Sequence, residues 1–491
     1  MLRVAKLNKN LPIPLHPSLS ELLLAVVATP LLLFPRSFLP WVGLGLLFSG
    51  WILRGFTGRK WLVRTSLDLP IIVIFLTTIA SLYPSVDLSL SMPKFYGIVL
   101  GVFVYYAVVD NVSTQRHVWL GVAILIACIA AISLLGLVGT EWNAGKYPLF
   151  QRAYALVPRL IKGIQSSVGP TAGFHPNEVG GTLAFLLPLP LALLLRARIR
   201  LLHRVLLVAV IVTGLGVLAL SVSRSALVGL SVAVLGLFVW RWRLAGVVLA
   251  LAAVGALAVA VSVDTQAVSE LFLKVEAISS ASGGNSLLGR LEIWDRARDM
   301  IEDFPFTGIG LNTFPVVLDT LYPSFLVGPD ARIPHAHDIY LQTAVDLGLG
   351  GFLGFLGLWG CTAYAGWRAY RRAYRDVSVQ AAVVGMLAGI ASYLVFGLTD
   401  AITLGAKPTV LLWLMLGLIV AADRVTGAGD AGRVEASYDG GEVTIDGTRT
   451  MWRSAAAFVL ATMVDLYWIT AFFLVAMAYL VVGIGISGWV P

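Results

Sequence analysis

Two histidines and a carboxylate stand within four residues at Pro334-His335-Ala336-His337-Asp338-Ile339-Tyr340-Leu341, at the end of a long polar stretch and just before an apolar run that continues through Gly348-Leu349-Gly350-Gly351. An aspartate at that boundary suits a helix N-cap, because its oxygen accepts a backbone N–H that the first turn leaves unpaired. His337 then precedes the cap by one residue. A histidine there titrates near neutrality beside the positive end of a helix dipole, so it is a candidate base. The competing reading is a polar interfacial loop with satisfied histidines. Arg224 is the second unusual group. It lies in Ser221-Val222-Ser223-Arg224-Ser225, which joins two apolar runs with almost no loop, so its charge must sit at a membrane boundary or in a cavity between helices. There it either snorkels to headgroups or binds an anion, since a guanidinium chelates phosphate oxygens through two parallel hydrogen bonds. Arg290 stands one helical turn before Trp294, and His175 and Asn177 lie in Gly173-Phe174-His175-Pro176-Asn177-Glu178, again beside a helix start. Collected, Arg224 and Arg290 suit an anion, His337 a base, and His335, His175, Asn177 and Asp338 the contacts to a substrate. A phosphorylated, lipid-linked molecule fits that inventory.

These residues need elements to hold them, and composition states which kind. With 58% hydrophobic and 13% charged residues over 491 positions, and a mean hydropathy of +0.86, the chain exceeds what a water-soluble core can bury and reads as an all-α polytopic membrane protein. A spanning helix needs about 20 mostly apolar residues. On that rule spans fall near 20–35, 38–53, 69–83, 97–109, 118–139, 179–195, 205–221, 225–240, 244–263, 347–367, 379–398, 408–422 and 466–486. Twelve form a core over 1–422, 423–453 reads as a polar cytoplasmic linker with room for a small hairpin, and 454–491 holds one additional C-terminal helix. The first apolar run lacks a convincing cleavage site and reads as a retained helix.

Placing the N-terminus in the cytoplasm puts Arg196, Arg198, Arg200 and Arg204, and likewise Arg368, Arg371, Arg372 and Arg375, on inner loops. The short outer loops then keep only Arg36, Lys94, Arg224 and Lys407, which is the positive-inside pattern. Both long loops, about 140–178 and 264–346, land on the outer face, and with them every candidate site residue. This distribution explains the net charge of +8 without nucleic acid. Cys128 and Cys361 fall inside apolar runs, so no disulfide framework or thiolate metal site is expected. In the second loop, Leu287, Leu291, Trp294 and Ile301 have helical spacing, and that stripe is expected to face the membrane or other helices. Arg296 and Arg298, among Glu292, Asp295 and Asp299, read as a solvated charged face. Lys94, Asp400 and Lys407, at other outer helix ends, read as structural.

No phosphate-binding loop, dinucleotide fingerprint, His-Glu-x-x-His motif or Gly-x-Ser-x-Gly elbow occurs. The energy for a reaction must then come with the substrate, and no cofactor is expected. Two other functions suit parts of the pattern. A transporter or flippase for an anionic lipid-linked glycan also needs basic groups facing a cavity. A metal site built from His335, His337, Asp338 and His175 is the other.

Ser223-Arg224-Ser225-Ala226, Gly289-Arg290 with Trp294, Gly308-Ile309-Gly310, and His335-Ala336-His337-Asp338-Ile339-Tyr340-Leu341-Gln342 followed by Gly348-Leu349-Gly350-Gly351 resemble the O-antigen ligase and O-antigen polymerase superfamily over most of residues 20–422. The resemblance implies a twelve-helix core whose large outer loop covers a cavity, in the inner membrane of a bacterium. It implies an undecaprenyl-diphosphate-linked glycan as donor, a hydroxyl on a glycan or lipid-glycan as acceptor, and a metal-independent, inverting transfer. It also assigns Arg224 and Arg290 to the diphosphate and His337 to the acceptor hydroxyl. Two features depart from the ligase pattern, which usually has Asn, Ser or Gln where this chain has Asp338, and which lacks the thirteenth helix. A carboxylate at 338, if close to His337, would favour the protonated imidazole.

Overall fold

A computed structural model describes residues 17–35, 38–56, 63–140, 142, 174–243, 248, 287–324 and 333–438. Among them the regular structure is helical, apart from one isolated bridge between Thr140 and Phe174. Long apolar runs leave the backbone no partner but itself, and the helix satisfies every interior N–H and C=O within the segment. In chain order the elements are α1 (Pro17–Leu33), α2 (Leu39–Phe56), α3 (Asp68–Ala80), α4 (Leu88–Asn111), α5 (Gln115–Gly139), α6 (Pro176–Leu186) and α7 (Pro188–Arg196). Next come α8 (Leu201–Ser221), α9 (Arg224–Trp242), α10 (Leu287–Asp303), α11 (Phe314–Leu321), α12 (Ile339–Arg372), α13 (Val377–Phe396) and α14 (Thr409–Tyr438).

Eight helices, counting α6 with α7 as one, are long and apolar enough to cross a membrane, and shorter apolar helices occur within α1, α2 and α3. Apart from residue 248, the spans expected at 244–263 and 466–486 lie outside the described residues, as does most of the loop expected at 140–178. α14 runs on past 422 to Tyr438, so the start of the stretch expected as a linker is helical. By packing, residues 1–430 form one unit and 431–491 a second, and all the candidate site residues belong to the first.

α13 is the centre of that unit, packed against α6, α7, α9 and α12. Tyr393 and Phe396 of α13, Phe185 of α6, Phe355 of α12 and Trp413 of α14 are fully buried in the main core. α1 and α2 pack on each other, and α1 also packs on α4. At one end of the bundle, buried Asp423 of α14 accepts hydrogen bonds from Arg368 and Arg372 of α12, and Arg424 donates to the Val109 carbonyl at 2.6 Å. The histidines lie at the opposite end of α12. From Leu349 to Arg372 that helix rises about 36 Å at 1.5 Å per residue.

α12 begins at Ile339, ahead of the expected span start at 347, and breaks at Gly348 (φ 69°, ψ −179°). Only glycine populates that backbone region freely. A Cβ there would lie 2.6 Å from the Phe306 carbonyl group, while Leu349 N–H donates to Pro305 O at 2.7 Å. The break thus seats the short first segment of α12 against the turn that follows α10.

Candidate active site

α10 and α11 form a small core of their own over the first segment of α12. Ile293, Ala297 and Met300 of α10 bury against Phe314, Val317 and Leu318 of α11 and against Ile333, Ala336 and Val345. The fully buried line is 293/297/300; of the expected stripe, Ile301 packs against this core, Leu291 and Trp294 are half-buried, and the Leu287 side chain lies outside the described residues. Spacings of four and three put Ile293, Ala297 and Met300 on one line, with Trp294 and Ile301 about 100° around the helix at its edge. The partner face lies on protein, as α10 packs against α12. Arg296 pairs with Asp299 at 3.3 Å and Arg298 with Asp295 at 2.9 Å, a local charged face as expected.

Trp294 carries the link from α10 to the histidines. Its indole N–H donates to Ala336 O at 3.0 Å. From the other side, Ala336 N–H donates to Oε1 of buried Gln342 at 2.7 Å. Held at both backbone groups, the turn puts His337 in the left-handed region (φ 52°), which β-carbon crowding disfavours for most residues. Its N–H then donates to Nδ1 of His335 at 3.2 Å, and the two rings meet edge to face at 4.5 Å. Asp338 caps α12 as expected, its Oδ1 accepting from Tyr340 N and Leu341 N at 2.8 Å each. Burial pushes the Asp338 carboxyl up to about 6, against the pull of those two N–H groups.

The carboxylate that faces the histidines is Asp400, in the link between α13 and α14. Its Oδ1 lies 3.8 Å from Nε2 of His335 and 3.9 Å from Nδ1 of His337. Asn177 Nδ2 donates to its Oδ2 at 2.9 Å, and Ala401 N donates to Oδ1 at 2.9 Å. Asp400 thus sits in the centre of the cluster, where the sequence suggested a structural helix-end role. Burial favours its neutral form, but the His337 and His335 rings and the Ala401 N–H outweigh this and hold the carboxyl below its usual range. Burial, then the neighbouring His337, push His335 down despite the pull of Asp400. The neutral His335 ring, accepting at Nδ1, carries its proton on Nε2, facing Asp400.

Tautomers also bear on metal binding. Ligand atoms of His335, His337 and Asp400 lie within 4.8 Å of one another, close enough for one cation. Asp400 thereby replaces Asp338 in the expected donor set. A proton on His335 Nε2, however, removes that lone pair as a ligand. The hydrogen-bond pattern fits proton transfer better than coordination.

Arg290 enters from α10, four residues and one turn before Trp294, so it shares the side of the helix that meets the histidine turn. Its guanidinium is half-buried and Nε has no hydrogen-bond partner. Burial pushes Arg290 below its ordinary range, Asp400 pulls it up and Arg224 pushes it down, so both charges lie within its electrostatic reach. Arg224 itself is exposed at the start of α9, after a cap in which Ser223 Oγ accepts from Ala226 N at 3.4 Å. Ser225 and Thr399 share a hydroxyl–hydroxyl bond of 2.7 Å, which ties the start of α9 to the Asp400 link. His335, His337, Asn177 and Arg290 therefore gather around Asp400 with Arg224 at the rim. His175, exposed before α6, and Lys94 lie within electrostatic reach of His335. Lys407 lies over the Phe34 ring at 4.4 Å and within electrostatic reach of Glu178.

Asp400, Gln342 and Asp346, which the sequence presents as ordinary helix-end or helix residues, lie in or directly behind this cluster. Buried Asp346 accepts from Gln342 Nε2 at 2.8 Å and pairs with Lys94 Nζ at 3.2 Å. A carboxylate four residues after a glutamine inside an apolar helical run was the available signal.

No curated protein matches the chain. Residues 209–356 match the family model described as O-antigen ligase, a segment that runs from α8 into α12 and contains Arg224, Arg290, His335 and His337. Over that segment, which is less than half of the chain, the sequence is similar to the O-antigen ligase family.

Proposed function

We propose that this chain transfers a glycan from an undecaprenyl-type diphosphate carrier to an acceptor hydroxyl on a glycan or lipid-glycan, at the outer face of a bacterial inner membrane. The observation that carries the reading is the placement of Asp400 against His337, with Arg290 in the same charge cluster. Asp400 holds the Nδ1 proton of His337 and leaves Nε2 as the base, the arrangement by which a carboxylate orients a histidine in hydrolases. The distance of 3.9 Å is longer than a hydrogen bond, and catalytic hydrogen bonds commonly tighten only when substrate is bound. The acceptor hydroxyl oxygen attacks the anomeric carbon as His337 Nε2 takes its proton. The bond from that carbon to the diphosphate oxygen breaks, and Arg290 and Arg224 take up the charge that develops on the leaving group. A single displacement inverts the anomeric centre. The diphosphate supplies the energy and the arginines the electrostatic stabilisation, so the step as drawn needs no cofactor or metal. Ligase and polymerase transfer share these steps and differ in the acceptor.

The test is His337→Ala. It is expected to lower transfer by about 10²–10⁴-fold, the range for loss of a general base, while donor binding persists. His335→Ala is expected to cost less. Transfer at the wild-type rate by His337→Ala would remove the base, and equal losses in both variants restored by divalent metal would replace it with a metal site.

A further inference from the structure

We infer that Lys94, Asp346 and Gln342 are positioning residues that hold the His335-Ala336-His337 turn against Asp400, an inference that rests on the proposed role of His337. The relay begins in the bundle. Lys94 Nζ, in the second turn of α4, reaches Asp346 Oδ2 at 3.2 Å. Asp346 Oδ1 accepts from Gln342 Nε2 at 2.8 Å and from Asn312 N at 3.3 Å. Gln342 Oε1 accepts from Ala336 N–H, the group between the two histidines, at 2.7 Å. Gln342 and Asp346 are spaced i, i+4 on the segment bounded by the Asp338 cap and the Gly348 break, so they share a face. Both are buried, at 0% and 2% exposure, and neither touches the proposed reacting atoms.

Direction is what makes this a relay rather than packing. The Gln342 amide donates on one side and accepts on the other, so rotating it by half a turn breaks both bonds at once. The carboxylate of Asp346 fixes which way it points, and Lys94 Nζ pairs with its other oxygen at 3.2 Å. Such a buried pair contributes little net stability compared with apolar residues of the same volume, so its consequence is orientation. Releasing Ala336 N–H would free the His337 backbone to leave the left-handed region, and the imidazole would swing from Asp400. The charged and titratable groups around the turn include Lys94 of α4, Asp400 after α13, His175 and Glu178 at the start of α6, Arg290 of α10, Asp338 at the cap of α12 and the two histidines themselves.

The experiment uses the full chain in detergent or liposomes, with variants Gln342→Met and Asp346→Asn, the double variant Lys94→Met/Asp346→Leu, and Lys94→Arg. Rates are normalised to folded protein, and side-chain ¹⁵N spectra are recorded on histidine-labelled samples. A relay predicts a kcat about 10²-fold lower in the first three, the loss that a displacement of about 1 Å produces. KM for the donor stays close to wild type, the resonances of His335 and His337 move, and Lys94→Arg recovers activity. The double variant removes both charges together and so remains folded where a single change leaves one uncompensated. Wild-type kcat per folded molecule with unmoved histidine resonances in Gln342→Met and the double variant overturns the relay. That result, combined with an inactive His337→Ala, leaves the base in place. An active His337→Ala removes the base itself, whereas the resonances still report whether the relay holds the turn.

Discussion

Replacing Asp400 by asparagine removes one negative charge while keeping the side chain's shape, and it isolates the contribution of the carboxylate to the proposed reaction. In the transition state His337 gains a proton, so an imidazolium faces the carboxylate. At the 3.9 Å separation and an effective dielectric of 20, the attraction is about 4 kcal/mol. At 1.36 kcal/mol per decade this corresponds to a loss of about 10³ in the transfer rate. A structural cost accompanies it. Asn177 Nδ2 and Ala401 N now donate to different oxygens of Asp400. Asparagine has one oxygen, so one donor loses its acceptor at a cost of about 1–3 kcal/mol. The assay is single-turnover transfer from a lipid-diphosphate-linked glycan in proteoliposomes, normalised to folded protein, with thermal melting measured in parallel. A rate within about fivefold of wild type would refute the role given to Asp400, whatever the change in melting temperature.

Four further outcomes are expected from the same structure. Replacing Arg290 or Arg224 by lysine keeps the charge but not the bidentate fork, so each is expected to lose about 10²–10³-fold in transfer, nearly as much as alanine; lysine variants with wild-type kcat would indicate a general electrostatic role. Asp338 has a folded pKa near 6, above its ordinary 3.8. The folded state therefore holds the proton more tightly, and the stability this confers is full below about pH 4 and lost as the pH rises through about 6. Asp338→Asn, an equally good cap, is expected to show a melting temperature that no longer falls over that window, and an unchanged slope would exclude Asp338 as its source. Gly348→Ala forces a side chain into a backbone region costing about 1–3 kcal/mol and against the Phe306 carbonyl. It is expected to lower the yield and melting temperature of folded protein. Reporters fused within 285–330 are expected to read as external and those within 428–445 as cytoplasmic, and swapped signals would move the site to the other face.

The amino-acid sequence by itself determined the helical, membrane-spanning class and the start of α12, because both follow from local physics. An apolar run in a bilayer must satisfy its own backbone, and Asp338 caps a helix whose first N–H groups are two and three residues away. The basic stretches around Arg196 and Arg368 likewise stand out without any knowledge of the packing. His335, His337 and Arg290 were recognisable by type and by their place at helix boundaries. Tertiary structure decided which groups they meet. Asp400 reads from its neighbours as one more polar residue at a helix end, and only the packing of α13 against α6, α9 and α12 brings it to Asn177, 223 positions away, and to the histidine turn. Asp346 reads as a misplaced charge until Lys94, 252 positions away, comes alongside. The buried line of α10 depends on tertiary contacts for the same reason: the surface offered by α11 and α12 buries Ile293, Ala297 and Met300, while Leu291 is only half-buried. Hydrophobic periodicity records how much apolar surface a helix must cover. Which side chains share a site depends on contacts between segments far apart in the chain, and no local pattern encodes those.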